Sequence, residues 1–201
     1  MIGLIAATRL EVEPLINLLD LRAAKTDPFA VFETHDTRLI LSGIGKTNAA
    51  MATAYLILRS PPACVCNLGS AGATGEGWSL GACLHVSRVI EPDRLDLLTG
   101  RPKTHALDTL EGFTTVSLAT QDSPVVDIGR RRQLAPFAEL VDMEGAAVTQ
   151  TCHRLHMRCH VFKFVSDTPE HGDLGLIQDN ILKHREAFAR FFAREVRPKL
   201  A

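Results

Sequence analysis

The sequence predicts an α/β fold, a single domain with a mixed central β-sheet flanked by helices. Three observations carry this. Short apolar runs of strand length alternate with stretches of helical periodicity along the whole chain. Most of those runs are apolar almost throughout, as strands buried on both faces are. One pair, "AVFETH" and "RLILSGIG", is separated only by Asp36-Thr37 and reads as a hairpin, so the mostly parallel sheet is mixed.

The elements follow in order. "IGLIAAT" (2–8) is a brief buried strand, and "RLEVEPLINLLD" after it is a helix. The hairpin comes next, then "KTNAAMATAYLILRS", a helix rich in Ala, Met and Leu. "ACVCNLGSAG" is a buried strand running into a glycine turn, with "NLGSAGA" expected to lead from strand to helix. "ACLHVSRVI" and "FTTVSLAT" are further strands. Segment 91–110 between them, with its Pro, Gly and charges, is expected to be a surface excursion. "ELVDMEG" and "HVFKFVSD" are strands around a helix at 146–156. The last helix spans roughly 176–196, with Ile177, Ile181, Phe188, Phe191 and Phe192 on one face and Pro198 as its stop.

Composition narrows the function. A chain of 201 residues, 46% hydrophobic and 22% charged, can bury a real core. Its net charge of −1, without a basic stripe, argues against nucleic acid or an anionic membrane as main partner. The opening "MIGLIAATRLEVE" has neither the basic flank nor the cleavage site of a signal peptide, and no apolar run reaches membrane-spanning length. Five cysteines without scaffold spacing read as free thiols in a reducing cytoplasm.

Ligands of open α/β sheets bind beyond the carboxyl ends of the strands. Three carboxylates stand at three such ends: Glu11, Glu144 and Asp167. Each also has a structural reading. Thr8 and Glu11 match a helix capping box. Ser166 and Asp167 could cap the following segment, and Glu144 could form a structural salt bridge. Glu144 is hardest to explain that way, because it lies between Met143 and the small residues Gly145, Ala146 and Ala147. Asp142 beside it gains no role. "SGIGKTN" lacks the glycine that a P-loop has about five residues before its Gly-Lys-Thr, where Ile40 stands. "TCHRLHMRCH" has the look of a metal cluster. It reads better as a helix with Cys152 packed inward and His153 and His156 solvated, since no second Cys pair completes a zinc site. Cys64 and Cys66 share a strand face as core thiols, and Arg130-Arg131-Arg132 reads as a solvated face.

In this order "IGLIAATRLEVEPL", "LSGIGKTNAAMATAYLI", "NLGSAGA", "VDMEGAAVTQTCH" and "FKFVSD" resemble the nucleoside phosphorylase superfamily. Within it they are most similar to the methylthioadenosine/S-adenosylhomocysteine nucleosidases. The resemblance runs to about residue 170. It implies one α/β domain with a mixed sheet, a homodimer, no metal or other cofactor, and a purine nucleoside as ligand. Asp167 then matches the acid that meets purine N7 and the 6-amino group, and Glu11 the residue that activates water. Glu144 matches the carboxylate holding the ribose hydroxyls, with Met143 under the sugar. Ser70 lies near sugar and nucleophile, and Gly72 and Ser166 complete the substrate-binding set.

These residue types suit ribose–nitrogen cleavage through an oxocarbenium-like state: an acid for the leaving purine, a carboxylate near the developing charge, a base for water. Departures are the missing aromatic in "LATQDSPVV", where Gln121 or Asp122 falls instead, Lys163 in place of arginine, and a shorter 91–110 segment. Asp167 favours a 6-aminopurine over a hypoxanthine nucleoside such as futalosine. A phosphorylase remains the alternative, with Arg9, Lys46 and Ser70 as phosphate donors and a "SLATQDSPV" segment similar to that of hopanoid-associated phosphorylases. Glu11 would repel phosphate and fits water better. A futalosine hydrolase, a non-catalytic nucleoside-binding protein and a zinc protein are the other readings left open.

Overall fold

The computed structural model describes residues 1–170 and 173–200. Its elements are β1 (Ile2–Ala6), α1 (Arg9–Leu18), β2 (Arg22–Lys25), β3 (Ala30–Glu33), β4 (Thr37–Leu41) and α2 (Lys46–Arg59). Next come β5 (Cys64–Ala73), β6 (Cys83–Leu95), β7 (Pro102–Ala106), β8 (Thr115–Thr120) and α3 (Ile128–Leu134). The chain closes with β9 (Leu140–Asp142), α4 (Gly145–Arg154), β10 (Cys159–Asp167) and α5 (Leu174–Phe191). A π turn over Phe192–Val196 and a 3-10 turn over Arg197–Lys199 end α5, close to the stop that Pro198 predicts.

All ten strands form one mixed sheet. β1 lies between β4 and β5, parallel to both, and β5 runs parallel to β10. β3 and β4 make the predicted hairpin. β10 pairs antiparallel with β6, β6 parallel with β8, β8 parallel with β9, and β9 antiparallel with the end of β5. Five strands therefore close into a ring.

The apolar runs alternate between two cores because successive strand side chains point to opposite faces. Leu4, Cys66, Leu68, Phe162 and Phe164 pack on one side with α1 and α5. Ile5, Val65, Val161 and Val165 pack on the other with α2 and α4. Among the described residues, no helix is long and apolar enough to cross a membrane.

Three expectations need correction, and one strand carries no signal of its own. "NLGSAGA" is not a turn into a helix, since β5 continues straight through it to Ala73. Segment 91–110 is not a loose excursion: β6 extends to Leu95 and pairs with β7. β2 carries no periodic apolar signal because all four of its residues are exposed on the sheet edge. Arg130-Arg131-Arg132 is not a solvated face, because it lies in α3 with Arg131 buried.

Phe188 of α5 is 1% exposed, with its ring 5.0 Å from that of Phe164 on β10. Phe188→Ala is expected to cost about 3–5 kcal/mol, read as a lower midpoint in urea unfolding. An unchanged midpoint would contradict the docking of α5 on this face.

Candidate active site

A cavity of about 390 Å³ opens at the strand ends, of a size suited to a small ligand. Glu11, Ser70, Gly72, Met143, Glu144, Ser166 and Asp167 all line it, together with Asp142. β1 and α1 bring Glu11, β5 brings Ser70 and Gly72, and β10 brings Ser166 and Asp167. β9 runs back along the end of β5, with Val141 opposite Gly72, which returns Met143 and Glu144 towards Ser70.

Glu11 is held by four donors. Its Oε2 accepts the Thr8 N–H at 3.1 Å and the Thr8 hydroxyl at 2.9 Å. Its Oε1 accepts the Ser70 N–H and hydroxyl, both at 2.8 Å. The capping box is therefore real, and the same carboxylate also faces the cavity. A Cβ at Gly69 would lie 2.8 Å from Glu11 Oε1, so glycine there admits the acid.

Glu144 Oε1 accepts the Gly45 N–H at 2.8 Å. Gly45 precedes α2 with φ of +98°, a conformation open to glycine at little cost, and this turns its amide onto the acid. Burial pushes the Glu144 carboxyl up from its ordinary 4.5 to about 7, and the Asp142 charge adds to the rise. Lys163 and the Gly45 amide act the other way without cancelling it.

Asp142, given no role by the sequence, is the structural acid of the group. Its Oδ2 lies 2.8 Å from Lys163 Nζ, with both side chains 1% exposed. It also accepts the Thr120 hydroxyl at 2.6 Å and the Gly145 N–H at 2.8 Å. Burial would lower the Lys163 ammonium, but Asp142 and Glu144 outweigh it and hold it above its ordinary value. A Cβ at Gly145 would come 2.6 Å from a Leu118 methyl, so α4 must start with glycine to lie this close.

Asp167 is bound from two sides. Ser166 donates its hydroxyl to Oδ1 at 2.6 Å, and Arg131 reaches Oδ2 from α3. Arg131 was missed because arginines flank it. The available signal was its spacing from Leu134, three residues on and also buried.

Other expected residues lie elsewhere. Arg9 points away, paired with Glu13 at 3.2 Å. Lys46 is 2.8 Å from Asp93 and 3.6 Å from Glu91. Gln121 and Asp122 do not form the wall opposite: Ser123, Pro124, Val125 and Val126 do. Asp122 instead accepts the Lys46 N–H at 2.8 Å. His153 and His156 are exposed and Cys152 is buried. Among the described residues, no group of three His, Cys, Asp or Glu side chains could hold a metal.

The family model described as the phosphorylase superfamily matches residues 1–197. The chain belongs to the phosphorylase superfamily. One relative within it, the 5'-methylthioadenosine/S-adenosylhomocysteine nucleosidase of Bacillus subtilis, is 31% identical over 199 residues, covering 83% of this chain and 85% of that protein. The nucleosidase of the same name from Neisseria meningitidis, solved in complex with methylthio-immucillin-A, is 27% identical with a TM-score of 0.77, covering 94% of each chain. The Helicobacter pylori nucleosidase shares the fold, with a TM-score of 0.85 at 20% identity over 98% of this chain and 97% of that one.

Two outcomes follow for this superfamily member. Its Glu144 has a folded value above the unfolded one, so the folded state holds its proton more tightly and loses stability as pH rises from about 4.5 through 7. Glu144→Gln keeps the acceptor for Gly45 and removes the charge. Thermal melts should show little difference from wild type at pH 4.5 and a variant more stable by on the order of 2–3 kcal/mol at pH 8. Equal gains at both pH values would refute the assignment. Lys163→Met strands Asp142 as a buried charge and should cost about 3–5 kcal/mol in denaturant unfolding at pH 7.

Proposed function

We propose that this chain hydrolyses the N-ribosidic bond of a 6-aminopurine nucleoside of the methylthioadenosine/S-adenosylhomocysteine type and releases the free base. The observation that carries the reading is the meeting of Glu11, Glu144 and Asp167 on one cavity with an apolar wall. Asp167 takes the purine edge, accepting from the 6-amino group and bringing a proton to N7, so that the base leaves neutral. Glu144 accepts the ribose hydroxyls over Met143. Glu11, with Ser70 beside it, takes the proton of the attacking water. The carboxylates also stabilise the positive charge that develops on the sugar.

Water is favoured over phosphate by charge. Among the described residues lining the cavity are four acids and no lysine or arginine. Of the three phosphate donors considered, Arg9 and Lys46 are engaged with acids outside it, and Ser70 gives its hydroxyl to Glu11. Chromatography of free base from methylthioadenosine, S-adenosylhomocysteine, adenosine and futalosine, with and without phosphate, tests this. Adenine release independent of phosphate is expected, and Asp167→Asn and Glu11→Gln should each lower kcat by about 10²–10⁴-fold. Release only with phosphate, or no release from any 6-aminopurine nucleoside, would overturn the reading.

The assembly we propose is a homodimer in a reducing cytoplasm, a compartment that suits five free cysteines. Leu95, Leu97 and Leu98 are exposed at the β6–β7 tip, and Ile44 and Met51 are exposed at the start of α2, which Lys46 ties to Asp93 of β6. We read these exposed apolar side chains as the dimer interface. Light scattering should give twice the chain mass, and Leu97→Asp with Leu98→Asp should give a monomer. A monomeric wild type would refute the dimer.

A further inference from the structure

Arg131 is the buried charge that the proposed chemistry leaves unexplained. It is 1% exposed and does not line the cavity. Its guanidinium stands behind Asp167, with Nη2 on Oδ2 and Nη1 donating to the Ala73 carbonyl at 2.6 Å. Among the described residues, its Nε has no hydrogen-bond partner. The passage between them is Gly72, where a Cβ would overlap Asp167 Oδ2 and lie 3.0 Å from Arg131 Nη1. α3, which carries Arg131, is capped separately: Asp127 accepts the Arg130 N–H at 2.7 Å. The helix end therefore does not need the Arg131 side chain.

We infer that Arg131 is a positioning and specificity-determining residue for the purine, acting through Asp167. This rests on the nucleosidase reading. A guanidinium is always a donor and always charged. Pinned by Arg131 on one oxygen and Ser166 on the other, Asp167 turns its remaining lone pairs to the base in one orientation. Those lone pairs accept from a 6-amino group and meet a 6-oxo group as acceptor against acceptor. Without the guanidinium, one carboxyl oxygen loses its anchor. The group can then rotate and turn the proton it brings to N7 onto a 6-oxo group, so discrimination between the two purines weakens.

The test compares Arg131→Met, close in length but uncharged, with Arg131→Lys, which restores a charge. Substrates are methylthioadenosine and its 6-oxo counterpart, methylthioinosine. For Arg131→Met, kcat on methylthioadenosine should fall by about 10²-fold with a much smaller change in KM, as expected for a misaimed acid. The ratio of kcat/KM between the 6-amino and 6-oxo substrates should fall by about tenfold or more, because one mispaired polar group is worth that much. Arg131→Lys should recover most of both. If Arg131→Met does not fold, Arg131→Gln, which keeps a donor but no charge, carries the test beside Arg131→Lys. The lysine variant should then keep the 6-amino preference and the glutamine variant should lose it. Wild-type kcat and an unchanged substrate ratio in Arg131→Met, or in its absence in Arg131→Gln, would overturn the inference. If instead the wild type releases no base from any nucleoside, it is the nucleosidase reading that fails.

Discussion

Desolvating four carboxylates around one apolar cavity is the constraint on which the rest of the site depends. Glu11, Asp142, Glu144 and Asp167 are each at most 7% exposed. A bare buried carboxylate is too costly to keep, so each must find donors or take a proton. The four are satisfied differently. Asp142 has a lysine, Asp167 an arginine and a hydroxyl, and Glu11 two amides and two hydroxyls. Among the described residues, Glu144 has one backbone amide as its hydrogen-bond donor. Burial and the Asp142 charge therefore push its carboxyl up, and it keeps room for ligand donors.

Packing makes those pairings possible. Gly69, Gly72 and Gly145 stand where a Cβ would press against Glu11, Asp167 and Leu118 respectively. The small residues thus let acids and their partners approach across strands and let α4 start against the sheet. Closure of five strands into a ring has the same effect on a larger scale, because it brings β9, distant in sequence from β5, back along its end. A stable fold and an acid-rich cavity are in tension here, and the cations Lys163 and Arg131 relieve part of that tension from behind the cavity surface.

Much of this was legible in the chain. Strand runs, hairpin and helices were readable because apolar periodicity follows directly from burial, as Leu4 and Ile5 or Cys66 and Val65 show by alternating between the two cores. Glu11, Glu144 and Asp167 were readable because each is a polar residue at the end of an apolar run. β2 was not, since an exposed edge strand needs no apolar pattern. The continuation of β5 through "NLGSAGA" was not, because glycines that admit a neighbouring side chain look locally like a turn.

What the sequence determined by itself was the alternation of elements and which acids sit at strand ends, because both depend on neighbours within a few residues. Only the tertiary structure decided which cation meets which acid. Arg131 lies 36 residues from Asp167 in the chain, among two other arginines. Lys163 joins Asp142 across separate strands. Long-range pairing of this kind leaves no periodic trace. It is fixed by strand register and by where glycine leaves space, so the difference between a solvated arginine and one that holds an acid appears only when the chain is folded.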